Sequence, residues 1–373
     1  MIRKPLLLKV YEAAGMQRWN DQIRTIEFTE LDKQAHKMVV AYIMGKCEED
    51  ATTGKINWIE LIEIGLFDIF KRITLTDLKP PLVDRIKKDK ERYEELNRWV
   101  FTRISPLTEQ IGGDFNLRFE AYLLEEQETL ERRIVNAAHF YVSKWEYDII
   151  KTANPRKDIV KEISDSISRE QKEYSDLKCM KIFLGSKNLL NFADMCGFLR
   201  FQQRWSHLYR IPKTSVLGHM LIVAIFSFLF SYEAKLPERN CVNNYFTGLF
   251  HDLPEVLTRD IINPVKKSVK GLDELIKDYE VEEMEKKIYK LIPKNWHSDI
   301  RMFTENEFSD TGQRNGALVK GADDLAAFIE AYLALKNGIK NEDLIYAKGK
   351  LRNKYKSKSI EGINFGKIYN DFK

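Results

Sequence analysis

With 373 residues, 44% of them hydrophobic and 31% charged, the chain is long enough to bury a core without disulfides or a structural metal. Its 18 glycines and 10 prolines exclude a fibrous or disordered sequence. The 60 basic and 56 acidic side chains leave a formal net charge of +4, so no overall field directs the chain to nucleic acid or to an anionic membrane, and any basic site has to be local.

Read from its start, the chain opens MIRKPLLLKVYEAAGMQRW, whose three-leucine run is too short for a signal-peptide core. Segments 84–103, 120–151, 215–235 and 322–337 carry apolar residues at three- and four-residue spacing, the pattern of helices with one buried face. Two-residue alternation is nearly absent. Turns are marked by Pro80-Pro81, Gly112-Gly113, Asn154-Pro155, Gly312 and Gly338. From Pro155 to Lys178 the sequence is highly charged, with Ile159, Val160, Ile163 and Ile167 as its large apolar residues, and predicts an exposed connecting helix. The expected architecture is therefore all-α: a helical domain over 1–155, a connector over 156–185 and a second helical domain over 186–373. The longest apolar stretch, Leu221 to Tyr232, falls short of the roughly 20 residues a membrane span needs, so a cytoplasmic protein without a membrane crossing is expected. Cys47, Cys179, Cys196 and Cys241 are scattered without a C-x-x-C pair, which predicts reduced, structural thiols.

The two halves resemble one another. Arg18-Trp19 corresponds to Arg204-Trp205, and His36, followed by Val40-Ala41, corresponds to His219, followed by Val223-Ala224. Gly65-Leu66-Phe67 then matches Gly248-Leu249-Phe250, Asp77 matches Asp260, and Val135 and Ala138 match Val319 and Ala322. The pairing isolates what differs. The second half has His219, His251-Asp252 and Asp323; the first has His36, Asp68-Ile69 and His139 at the aligned positions. Two imidazoles and two carboxylates can hold one divalent transition ion and leave positions for water and substrate. An isoleucine cannot ligate a metal, so the first set is broken.

The H…HD…D pattern in a helical chain resembles the HD phosphohydrolase superfamily. It is most similar to the 5'-deoxynucleotidase, or YfbR-like, branch: Arg204-Trp205 resembles that branch's Arg-Trp, Phe250 to Lys267 (FHDLPEVLTRDIINPVKK) its strongest motif, and Val319 to Ala331 (VKGADDLAAFIEA) its closing helix. The resemblance covers about Phe192 to Ala347, with a degenerate copy over most of the first half. It implies His219, His251, Asp252 and Asp323 as ligands of one divalent transition metal (Mn, Co, Fe, Ni or Zn), Glu255 in proton transfer, and Asp260 orienting water or substrate hydroxyls. It also implies Arg204 on the substrate phosphate, Trp205 at the nucleoside and Lys266 as a further phosphate contact. Asp323 is preferred to Asp324 because it aligns with the family aspartate. One departure stands out: the family flanks its first histidine with Glu and Ser, whereas here Gly218 and Met220 flank His219.

The expected activity is removal of the 5'-phosphate from (deoxy)nucleoside monophosphates, with a nucleotide as the small-molecule partner. The chain is expected to be a monomer with an internal pseudo-dimer, or else a homodimer. Three other readings are carried alongside. An impaired scaffold is suggested by the lost first set, and an HD hydrolase of another nucleotide by the generality of the ligand pattern. A nucleic-acid binder is suggested by the basic stretch Lys348 to Lys358, which a solvated helix end also explains. His36 and His139 occupy positions without a full ligand set, and His207 and His297 sit in no interpretable constellation.

Overall fold

The computed structural model describes residues 2–373 apart from Thr53, Asp77, Glu126, Ile262 and Lys267, so the expected match of Asp77 with Asp260 lies outside the described residues. The chain is almost entirely helical. Helices Lys4–Gly15, Glu30–Ala51, Trp58–Leu75, Pro80–Lys88, Lys90–Thr108, Phe115–Leu124 and Leu130–Ile150 form the first half, and Lys157–Lys172 and Lys178–Gly185 follow. The second half holds Lys187–Phe198, Val216–Glu233, Glu238–Phe250, Glu255–Thr258, Asn263–Lys266, Leu272–Glu283, His297–Thr304, Gly316–Lys336, Glu342–Tyr355 and Phe365–Asn370. Short 3-10 and π segments join these helices, and two short antiparallel ribbons pair Gln17–Arg18 with Phe28–Thr29 and Ser359–Ile360 with Ile363–Asn364.

Helices Glu30–Ala51 and Val216–Glu233 lie side by side at the centre, and each begins at a hydroxyl cap. Thr29 Oγ1 accepts from the Asp32 amide at 3.2 Å, and Ser215 Oγ accepts from the Gly218 amide at 2.8 Å, satisfying amides that the first turn leaves free. Val216–Glu233 is the one helix among the described residues long and apolar enough to cross a membrane, but 89% of it is buried inside the protein. Its all-round apolarity is that of a helix surrounded by core. One contiguous hydrophobic cluster runs from Ile2 to Phe372 and draws on both halves.

The charged segment after Pro155 does not stand free. Helix Lys157–Lys172 lays Ile163 and Ile167 against Trp19, Phe28, Tyr147 and Ile150. Helix Lys178–Gly185 is tied to Glu30–Ala51 by the Cys179 amide, which donates to Glu48 Oε2 at 2.9 Å. All four cysteines are buried free thiols, and burial pushes those of Cys47 and Cys179 up to about 12.

Candidate metal centre

His219 lies one turn into the helix that Ser215 caps, wholly buried. His251 is delivered by the C-terminal end of helix Glu238–Phe250, where its Nδ1 lies 2.9 Å from the Gly248 carbonyl. Donation from Nδ1–H to a carbonyl leaves the Nε2 lone pair for a ligand. Gly248 also lets the two helices meet, since a Cβ there would lie 2.6 Å from the Ala224 backbone. As a result the two imidazole centroids are 5.6 Å apart. One ligand atom each from His219, His251 and Asp252 lies within 4.8 Å of the others. Asp323, on helix Gly316–Lys336, joins them through Oδ1, 3.0 Å from His219 Nε2, while Lys320 Nζ holds its other oxygen at 2.6 Å. The adjacent Asp324 is turned away and accepts from the Tyr355 hydroxyl at 2.8 Å and from Lys354, so Asp323 is the one facing the cluster. Lys354 and the buried Tyr355 are thereby committed to a fold contact within the basic stretch.

Burial opposes charge on these groups, but they compensate one another. Asp252 and Asp323 raise His251 to about 9, and His251 and Arg204 hold Asp252 well below the usual carboxylate range. Lys320 and the two histidines do the same for Asp323. Two buried imidazoles and the partly buried Asp252, with Asp323 beside His219, fit a divalent transition ion by donor chemistry and by proximity.

Arg204 reaches the centre: its Nη1 is 3.4 Å from Asp252 Oδ2 and its Nε 3.5 Å from Glu330 Oε2. Trp205, in the left-handed region at φ 55°, donates from Nε1 to Glu330 at 2.8 Å, which fixes the edge of its indole. Glu255 is 7% exposed, its Oε2 has no hydrogen-bond partner among the described residues, and burial with Asp252 and Asp260 pushes its carboxyl well above the usual range. Asp260 is half-buried and acts on Glu255 and Arg204 through its charge. Lys266 lines a cavity of about 220 Å³ together with His251, Asp252, Glu255 and Glu280. His207 and His297 take no part in this set.

Sequence reasoning missed Glu330. Buried at 2% exposure, it accepts from Trp205 and Thr214 at 2.8 Å, and its Oε1 is 3.5 Å from His219 Nδ1. Its spacing of two helical turns after Asp323 puts both on one face, and the recurrence of Glu146 after His139 was the available signal. Glu330 also bears on the altered residues beside His219. A Cβ on Gly218 would lie 2.9 Å from Leu31 and 3.0 Å from Asp32, so the first half occupies the space a glutamate there would need.

The same contacts recur in the first half with different chemistry. Trp19, also at φ 55°, donates to Glu146 at 2.8 Å; Gln17 bridges to Thr29 as Gln203 does to Ser215; Thr76 and Arg259 share positive φ values of 58° and 66°. Within this frame the residue in the place of His219 is Lys33, three positions before His36. The sequence pairing of His36 with His219 is corrected accordingly. Lys33 Nζ lies 2.9 Å from His139 Nε2, as His219 lies beside Asp323, and Lys37 Nζ pairs with Asp68 at 2.7 Å. His36 points elsewhere, its Nε2 3.0 Å from the Ala193 carbonyl, and burial lowers its pKa to about 3. The slip is almost one helical turn, which leaves the apolar face in phase and so hides it from a periodicity argument.

Residues 196–363 match the sequence pattern of the HD domain family. A 5'-deoxynucleotidase of Pasteurella multocida is 28% identical over 160 residues, covering 41% of this chain and 77% of that protein. Another from Pectobacterium atrosepticum is 27% identical over 170 residues, 44% of this chain and 81% of its own. One from Vibrio vulnificus is 26% identical over 158 residues, 41% and 78%. With its helical fold and a candidate metal cluster of His219, His251 and Asp252, the second half of this chain is similar to the HD-domain phosphohydrolases, near their 5'-deoxynucleotidase branch.

Proposed function

We propose that the chain hydrolyses the phosphomonoester of (deoxy)nucleoside 5'-monophosphates at a single divalent metal held by His219, His251, Asp252 and Asp323. The observation carrying this reading is the grouping of His219, His251 and Asp252, with Asp323 beside His219, near Arg204 and the buried Glu255. When bound, a divalent ion lowers the pKa of coordinated water and polarises a phosphoryl oxygen.

The chain's own groups supply the rest. Arg204, kept charged by Glu330 and Asp252 against burial, faces the site with a guanidinium suited to a phosphate dianion. Lys266 adds a second cation at the cavity wall. Glu255, whose carboxyl burial pushes upward, donates a proton to the departing O5' as the water oxygen bonds to phosphorus and the P–O5' bond breaks, and a proton of that water restores Glu255. Asp260 keeps that proton on Glu255 by its charge and accepts from water or sugar hydroxyls. Glu280, in the same cavity, is a second acceptor for hydroxyl groups.

The paired contacts of the halves support a tandem duplication, in which 1–155 is a degenerate HD-like copy, 156–185 joins it, and 186–373 is the hydrolase. The first half then stands where a partner subunit would stand. Its Asp32 accepts from Ser215, and its Tyr11 hydroxyl donates to the Ala326 carbonyl at 2.8 Å, on the helix bearing Asp323. A monomer by light scattering is expected; an obligate dimer joined through the second halves overturns this arrangement.

The activity is tested by phosphate release from ribo- and deoxynucleoside monophosphates with Mn, Co, Fe, Ni and Zn added in turn, beside Asp252→Ala. Release by the wild type and none by a folded variant is the expected result. Equal release by both removes Asp252 from the site, and a wild type that neither binds metal nor releases phosphate favours the scaffold reading.

A further inference from the structure

A second cavity, of about 360 Å³, lies between the halves and shares no residue with the one at the metal centre; Phe303 lines it where the next residue, Thr304, lines the other. Its size falls in the range of small-molecule sites. Trp58 and Tyr42 come from the first half, Phe246 and Phe303 from the second. Trp58 stands edge-on to Phe246 at a centroid distance of 5.4 Å and 89°. These rings offer a flat ligand both faces and edges to pack on.

The polar groups narrow the ligand. Tyr42 is 2% exposed, and its hydroxyl has no hydrogen-bond partner among the described residues, although buried hydroxyls are almost always satisfied. Asn57 and Asn243 also line the cavity: the Asn57 side-chain carbonyl caps the next helix at the Glu60 amide and the Asn243 amide donates to the Gln313 carbonyl at 2.9 Å, so each carboxamide is held in place and keeps a second N–H and a carbonyl lone pair for a ligand. Charges balance: Lys46 is paired with Asp299 at 3.0 Å, and Glu238 sits beside Arg239. A balanced lining gives a net ionic ligand no advantage, whereas aromatic walls with mixed donors and acceptors suit the ring and edge of a heterocycle.

We propose that this cavity binds an uncharged planar heteroaromatic molecule of nucleoside size, with the Tyr42 hydroxyl as its buried hydrogen-bond partner. The site adjoins the chemistry. Tyr42 is 5.2 Å from Phe250, which stacks on Phe303 at 5.9 Å and immediately precedes His251. Occupancy therefore bears on the layer that seats the metal-binding histidine.

The test is calorimetric titration of the metal-loaded full chain with purine and pyrimidine ribo- and deoxynucleosides, in parallel with Asp252→Ala, Val242→Phe and Tyr42→Phe. Val242 lines the cavity and is only partly buried, so a phenylalanine there fills the space. Binding is expected in the wild type and in Asp252→Ala, with affinity falling at least about tenfold in Val242→Phe and about fivefold in Tyr42→Phe, one hydrogen bond's worth. Should Val242→Phe lose its metal or its melting transition, Tyr42→Phe decides, because it keeps the ring packing. The proposal is overturned if no nucleoside binds the wild type, or if binding disappears in Asp252→Ala and survives in both cavity variants, which would place the ligand at the metal centre. The outcome does not depend on whether the chain releases phosphate.

Discussion

Asp32 of the first half accepts a hydrogen bond from Ser215 of the second, the residue whose hydroxyl oxygen caps the helix bearing His219. The cap of the helix bearing His219 is thus held by the first half. Ser215→Ala removes both contacts at once. Its expected cost is about 1 kcal/mol in denaturant unfolding, as for the loss of a helix cap, accompanied by weaker metal binding in a chelator competition. An unchanged metal affinity would detach the cap from the site.

Glu330 faces His219 Nδ1, Arg204 and Trp205 together. Glu330→Gln keeps the shape and removes the charge. Metal affinity is expected to fall about 10- to 100-fold, the usual effect of losing a partner behind a ligating histidine, with little change in far-UV circular dichroism. Chelator titration of the purified variant reads the loss directly.

The first half offers a constructive test. Lys33→His and Ile69→Asp, made together with Lys37→Val, place two imidazoles and two carboxylates where Lys33, Asp68, Ile69 and His139 now stand and remove the ammonium paired with Asp68. Elemental analysis is expected to show the metal content of the triple variant roughly doubled relative to wild type. No increase in a folded variant rejects the correspondence of Lys33 with His219.

Acid stability should depend on Glu30. Burial works against its charge, but Arg18, Arg72 and Lys33 outweigh it and hold its pKa at about 2, against an ordinary 4.5. A carboxylate depressed in the folded state contributes stability that is fully present above pH 4.5 and is lost as pH falls toward 2. A shift of this size corresponds to about 3 kcal/mol. Unfolding of Glu30→Gln across this window is expected to show a flatter pH dependence than wild type, at lower stability near neutral pH.

The helical character of the chain was legible in its periodicity, and the candidate donor set in the H…HD…D pattern of His219, His251-Asp252 and Asp323. Residue type limits what can bind a cation, and that limit is written locally. In the sequence, the choice of Asp323 over Asp324 rests on the family alignment alone, and packing supplies its reason: Asp323 turns to His219 because Tyr355 and Lys354 hold Asp324 on the other side. The register of Glu30–Ala51 was also hidden, because a slip of three residues keeps the same face buried and only contacts with His139 and Met38 show that Lys33 and not His36 takes the first position. Gly218 read as a lost support until Asp32 and Leu31 were seen to fill its space. By itself, then, the sequence determined the elements and the donor atoms, since both follow from local chemistry and short spacing. The tertiary structure alone decided the partners, because Glu330 behind His219 and Asp32 beneath Ser215 are meetings of distant segments brought about by packing.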